Sequence, residues 1–356
     1  MVSGAVYDAV NAIEGRPYDP YLVAPRTNGT ESTDAAVGTA AYRVLESLFP
    51  DQEERLSAQY ADWLDAIPDG RAKLGGIRVG ERTAAAMIAA REDDGAFGNR
   101  LWTEGTGPGE WRPTPPGFEN SGAWVMDLRP FLIPNAAMFR TAGPPALTSR
   151  QYARDLNEVK RLGSATSTAR TADQTEAARW WHDRRSVHWE IKRQLAVTQR
   201  LSALATARLF ALVDMTGEDG SIACQNDKEF WSFWRPVTAI RLADTDGNPR
   251  TTADPNWTPL LVTPPFPDYP SGHSCGTGAR MAAYERIFGT DEVAFSAFSV
   301  DSGTTRHFDS FSAATTEVIG ARIWGGIHFH TADVNGVGLG EAVAAYTTEN
   351  HFLPRR

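Results

Sequence analysis

Cysteine is nearly absent: the 356 residues hold only Cys224 and Cys275, which excludes a disulfide-stapled fold, and their spacing fits no zinc motif. An excess of positive charge is missing as well, since 35 Lys and Arg face 44 Asp and Glu and the formal net charge is −9. A broad nucleic-acid or anionic-membrane surface needs clustered cations, so neither partner is expected and any anion site must be local. No run of about eighteen apolar residues exists, so no membrane span is expected. Residues 1–13 lack a basic n-region and a long apolar h-region, so no secretory signal is visible. They do read as helix almost from the first residue. The expectation is a soluble protein, cytoplasmic as written and exported if an upstream segment is missing.

What is present is helical periodicity. Ser32-Thr33-Asp34 forms an N-cap cluster before an expected helix at 35–49, followed by helices at 51–66, 70–91 and 149–161. One long helix is expected over 188–216, then others at 218–234, from Pro236, and at 271–288, 310–324 and 327–350. Strand signals are sparse. Between 94 and 147 Gly and Pro are dense and interleaved with Trp102, Trp111, Phe118 and Trp124, too apolar a mixture for a flexible linker, so an ordered surface loop is expected. The pattern predicts an all-α fold of two packed helical bundles: an N-terminal one over 1–165 carrying the loop, and a catalytic one over 166–356, dividing between Gly163 and Ala172.

Three stretches carry the chemistry. Lys228 and Arg235 lie seven residues apart, which on one helix puts them within about 20° of the same face. Pro236 starts a new helix, so Arg235 sits at a bend. Pro270-Ser271-Gly272-His273 opens a small-residue helix whose first N–H groups, with the Ser271 hydroxyl, form an anion site faced by His273. Arg322 and His328 would lie about 120° apart on a straight helix, but Gly325-Gly326 breaks it and lets them converge. Taken singly, each stretch also reads as a solvated charge pair, a capped turn, or a core histidine with a surface arginine. Holding a tetrahedral oxyanion explains all three. His182 and His188 read as structural, and His330 as surface, since residues two apart on a helix point away from each other.

These segments resemble the signature of the vanadium-dependent haloperoxidases and of the phosphatidic-acid phosphatase type 2 superfamily, over at least 209–340, with flanking agreement in Trp234-Arg235-Pro236-Val237-Thr238 and Pro264-Pro265-Phe266-Pro267. The resemblance implies two four-helix bundles and vanadate as cofactor, with phosphate able to occupy the same site. It implies that His328 is the metal ligand, that Lys228, Arg235, Arg322, Ser271 and Gly272 bind the oxyanion, and that His273 is the acid–base residue. Lys228 would polarise peroxide, and Phe266 would line the halide pocket. Hydrogen peroxide, halide and an organic acceptor are the implied small-molecule partners; a homodimer stays open. The alternative is an acid phosphatase acting through phospho-His328. Many such phosphatases orient the histidine with an Asp four residues later; here that position is Ala332, and Asp333 lies about 140° round the helix, so the usual carboxylate is expected to be missing. Gln225 stands where an aromatic is common, leaving halide preference open. A non-catalytic oxyanion-binding protein is a third class, disfavoured by the two imidazoles.

Overall fold

The computed structural model describes residues 1–183 and 186–355. Within these the protein is largely helical and separates into two compact units. The first comprises Met1–Asp94, Ala196–Met215 and the chain from Thr347 onward. It holds α1 (Val2–Ile13), α2 (Thr33–Leu48), α3 (Glu53–Asp65) and α4 (Arg71–Ala90). The Ser32 side chain caps α2 by accepting from Ala35 N, as the N-cap cluster predicts. Ala9, Ile13, Ala36 and Val79 then form an apolar cluster joining α1, α2 and α4.

The second unit comprises Gly95–Leu195 and Thr216–Tyr346. After the long loop come α5 (Arg150–Leu162), α6 (Ala172–Trp180), α7 (Val187–Thr198), α8 (Ala203–Trp231), α9 (Pro236–Arg241) and α10 (Gly272–Phe288). A hairpin of β1 (Phe295–Ser299) and β2 (Thr304–Phe308) follows, then α11 (Phe311–Trp324) and α12 (His330–Asn350). The core of this unit joins Tyr152, Leu156 and Val159 of α5 to Phe233, Trp234, Val237 and Ile240 around α9, and to Phe329 and Ala332. That packing ties α5 to α9, and the stretch between 163 and 172 lies inside this unit.

Two helix boundaries differ from the sequence reading. The break expected near 217 is absent, because Gly217 and Gly220 serve packing: a Cβ on Gly217 would sit 2.4 Å from Arg280 Cζ, and one on Gly220 would sit 2.9 Å from Ala279 Cβ. The chain breaks instead at 199–202, where Arg200 has φ of 50°. The loop over 94–147 is ordered, with one short 3-10 turn at Ala123–Asp127. Asp219 of α8 accepts from the N–H groups of Phe131, Leu132 and Ile133, and Asp227 accepts from Arg140 and Thr141. Trp111 N donates to Ser232 O and Trp234 N to Gly109 O, fixing the loop against the turn between α8 and α9. No helix among the described residues is long and apolar enough to cross a membrane.

Candidate oxyanion site

Lys228 lies in the last turn of α8, and Arg235 at the N-cap position of α9. They do not share one helical face as the spacing suggested: α8 ends at Trp231, Ser232 takes φ of 39°, and the turn brings the two cations together. Ser271 occupies the N-cap position of α10 without capping it through its side chain, and His273 lies in the first turn. Arg322 lies in the last turn of α11. His328 follows in the short segment before α12, after a break at Gly325-Gly326 as expected. Gly326 has φ of 77°, and a Cβ there would fall 2.4 Å from Gly163 O, so only glycine fits.

The cluster is dry. Lys228, Arg235, Arg322 and Ser271 are 0% exposed and His328 is 1%. Each cation also serves the architecture. Lys228 Nζ donates to the carbonyls of Pro267, Asp268 and Pro270 at 2.5–2.7 Å, which uses all three ammonium N–H groups. Arg235 Nε donates to Phe266 O and Nη1 to Ile327 O, both at 2.8 Å. Arg322 Nη1 reaches Trp181 O at 3.4 Å. Gly272 faces Lys228 Cε and Gln225 Nε2, whose atoms would lie 3.9 and 3.8 Å from an added Cβ. The Phe266 ring lies 5.3 Å from Lys228 Nζ and 5.0 Å from Arg235 Cζ, and it packs against Trp102.

His328 is held from both ring nitrogens. Arg235 Nη1 lies 3.0 Å from Nε2 and 3.5 Å from Nδ1, and Asp268 beside Nδ1 favours the neutral tautomer that carries its proton there. Nδ1 faces Asp268 Oδ1 at 2.8 Å. This corrects the expectation of a missing carboxylate. Ala332 has no room for one, being 1% exposed inside the apolar core, while Asp268 arrives from the Pro-rich loop. Asp333 turns elsewhere and accepts from Ser274 Oγ at 2.8 Å.

Burial, reinforced by Arg235, Lys228, Arg322 and His273, drives the His328 imidazolium well below its usual range and leaves the ring neutral at pH 7. Burial also lowers the Lys228 ammonium to about 8 and raises the Asp333 carboxyl to about 7. The Asp268 carboxyl is pushed up to about 8 by burial, against the pull of Arg235 and Lys228. Its Oδ1 lies 2.8 Å from His328 Nδ1 and 3.9 Å from Arg235 Nη1, contacts that favour the carboxylate against the burial. Like charges in such an interior repel by roughly 1–4 kcal/mol per pair at separations of about 4–15 Å, so a multiply charged anion among the cations would relieve the strain.

Of the remaining histidines, His330 contacts Glu158 at 2.9 Å and stays outside the cluster. His188 lies outside the cluster and is partly buried, with its pKa driven down to about 3 by desolvation and by Arg280 and Lys192. His182, read from sequence as structural, stacks on His273 with ring centroids 6.3 Å apart and planes 10° apart. Among the described residues no group of three or more His, Cys, Asp or Glu could hold a bare metal ion.

Several known proteins resemble this chain. Residues 208–352 match the family described as the VCPO second helical-bundle domain. Vanadium chloroperoxidase from Curvularia inaequalis is 24% identical over 335 residues, covering 74% of this chain and 54% of that protein. The chain therefore spans about half the length of this curated relative. The crystal structure described as the first bacterial vanadium-dependent iodoperoxidase superposes with a TM-score of 0.84 at 24% identity, over 100% of this chain and 90% of that one. An apo-type bacterial vanadium-dependent chloroperoxidase gives 0.74 at 17% identity, over 98% and 91%.

Proposed function

We propose that this chain, which has the vanadium-haloperoxidase fold and carries that family's second helical-bundle domain, is a vanadate-dependent haloperoxidase converting halide and hydrogen peroxide to hypohalous acid. The observation that carries the reading is the burial of two arginines and the Lys228 ammonium around one neutral imidazole. The donor set suits a tetrahedral oxyanion of a metal. Arg235 and Arg322 offer planar forks, Ser271 a hydroxyl, Gly272 the N–H at a helix start, and His328 Nε2 a lone pair for the metal. Bound vanadate would supply a Lewis-acidic centre at which peroxide becomes able to oxidise halide.

The protein's own groups would then have separate tasks. Asp268 would keep the His328 proton on Nδ1, so that Nε2 is the coordinating atom once Arg235 turns toward the anion. His273, in the first turn of α10, would take a proton from incoming peroxide and return it to departing water. Lys228 would lend positive charge at short range while its N–H groups hold the loop at 267–270. Phe266, beside the cations and against Trp102, would form the apolar side of the halide pocket.

The test is halogenation of a cyclic diketone by purified protein given orthovanadate, peroxide and bromide. Steady phosphate release from an aryl phosphate, with no halogenation at any vanadate loading, would overturn the reading. A carboxylate on Nδ1 would also serve phosphoryl transfer through His328, so the phosphate arm tests that alternative directly.

A further inference from the structure

A cavity of about 520 Å³ lies beside the oxyanion site, within the size range of small-molecule pockets. Two Pro-Pro pairs from separate stretches, Pro115-Pro116 and Pro264-Pro265, contribute rigid apolar walls. Phe118 and Val262 also line it, each 65% exposed, a large apolar surface for a protein to leave in water without a binding task. Thr263 adds a polar point. It is only 6% exposed, and its hydroxyl has no hydrogen-bond partner among the described residues, so one χ1 rotation would let it bond a ligand.

The cavity wall is continuous with the chemistry. Pro265 is followed directly by Phe266, whose ring lies beside Arg235 and Lys228. His182, another wall residue, stacks on His273. The charged wall residues among those described are Glu119 and Asp301, so the cavity provides no described counter-charge for an anionic ligand.

We infer that this cavity binds the organic acceptor, an uncharged planar aromatic carrying one hydroxyl or N–H, such as a phenol or indole. The ring would lie against the prolines and Phe118, with its polar group on Thr263. The inference rests on the haloperoxidase reading for its oxidant. Hypohalous acid formed at the oxyanion site meets a ring already held: a C–H bond breaks, a carbon–halogen bond forms, and the hydroxyl of the hypohalous acid leaves as water with the ring proton.

Binding can be measured on vanadate-free protein by calorimetry with 2-naphthol, naphthalene and 2-naphthoate. 2-Naphthol should bind saturably, naphthalene about five-fold more weakly, and 2-naphthoate not measurably. Thr263→Val should remove the preference for 2-naphthol over naphthalene, and Phe118→Ala should weaken both by about ten-fold. In the vanadate-loaded enzyme, 2-naphthol and a cyclic diketone competing for halogenation should give a product ratio unlike that of reagent hypobromite. Phe118→Ala should return it to the reagent value while the rate on diketone alone is unchanged. Absence of saturable 2-naphthol binding, or a wild-type ratio equal to the reagent's, would sink the inference even if the diketone is halogenated. Specific binding without any diketone halogenation would instead remove the oxidant, and with it the haloperoxidase reading.

Discussion

Asp268 Oδ1 lies 2.8 Å from His328 Nδ1, while Arg235 Nη1 lies 3.0 Å from the opposite ring nitrogen. The Asp268 contact favours a proton on Nδ1, which leaves the Nε2 lone pair for a ligand. Asp268→Asn should let the tautomer relax and reduce anion affinity or turnover about ten- to a hundred-fold. Two-bond proton–nitrogen correlations of the labelled ring check this: wild type should carry the Nδ1–H pattern and the variant a mixture. An unchanged pattern would end the positioning role.

His328→Ala should abolish both halogenation and vanadate binding, because it removes the imidazole nitrogen that would coordinate the metal. Full activity in this variant would disprove the site itself.

His273→Ala should lower kcat about a hundred-fold while changing vanadate affinity much less, as expected for proton transfer rather than anchorage. Equal losses in both would reassign it to anion binding.

Lys228→Met should cost about 3–5 kcal/mol of stability, since it leaves three buried carbonyls without their donor. Chemical denaturation reads this directly. A loss within 1 kcal/mol would mean that the loop at 267–270 is held by other contacts.

The Lys228 ammonium, lowered by burial to about 8, also predicts a pH dependence. An anion binds the charged form and lifts its pKa, so affinity should be full below about 8 and decline as pH rises through that value. Sulfate, whose own charge is constant in this range, is the suitable probe; affinity flat from pH 7 to 9.5 would contradict the shift.

Local rules made several boundaries legible: Ser32 caps α2, Ser271 stands at the start of α10 though its side chain does not cap it, and the Gly pair breaks the helix before His328. Glycine misled where it served packing, as in α8, whose Gly217 makes room for Arg280. The β-hairpin and α6 escaped notice because they are short and weakly periodic. Asp268 was missed because helical spacing from His328 was the only route considered, whereas the loop delivers it through space. Its signal was available: a single acid in the apolar run Pro264-Pro265-Phe266-Pro267-Asp268-Tyr269-Pro270 has to be buried opposite something basic.

That run has a mechanical consequence. Its residues successively wall the cavity, lay a ring beside two cations, clamp the Lys228 ammonium through backbone carbonyls and touch the imidazole. Access, charge and proton position are thus threaded on one taut cord. A displacement at the proline end would reach His328 through Asp268, and a substitution meant to widen the entrance would retune the chemistry with it.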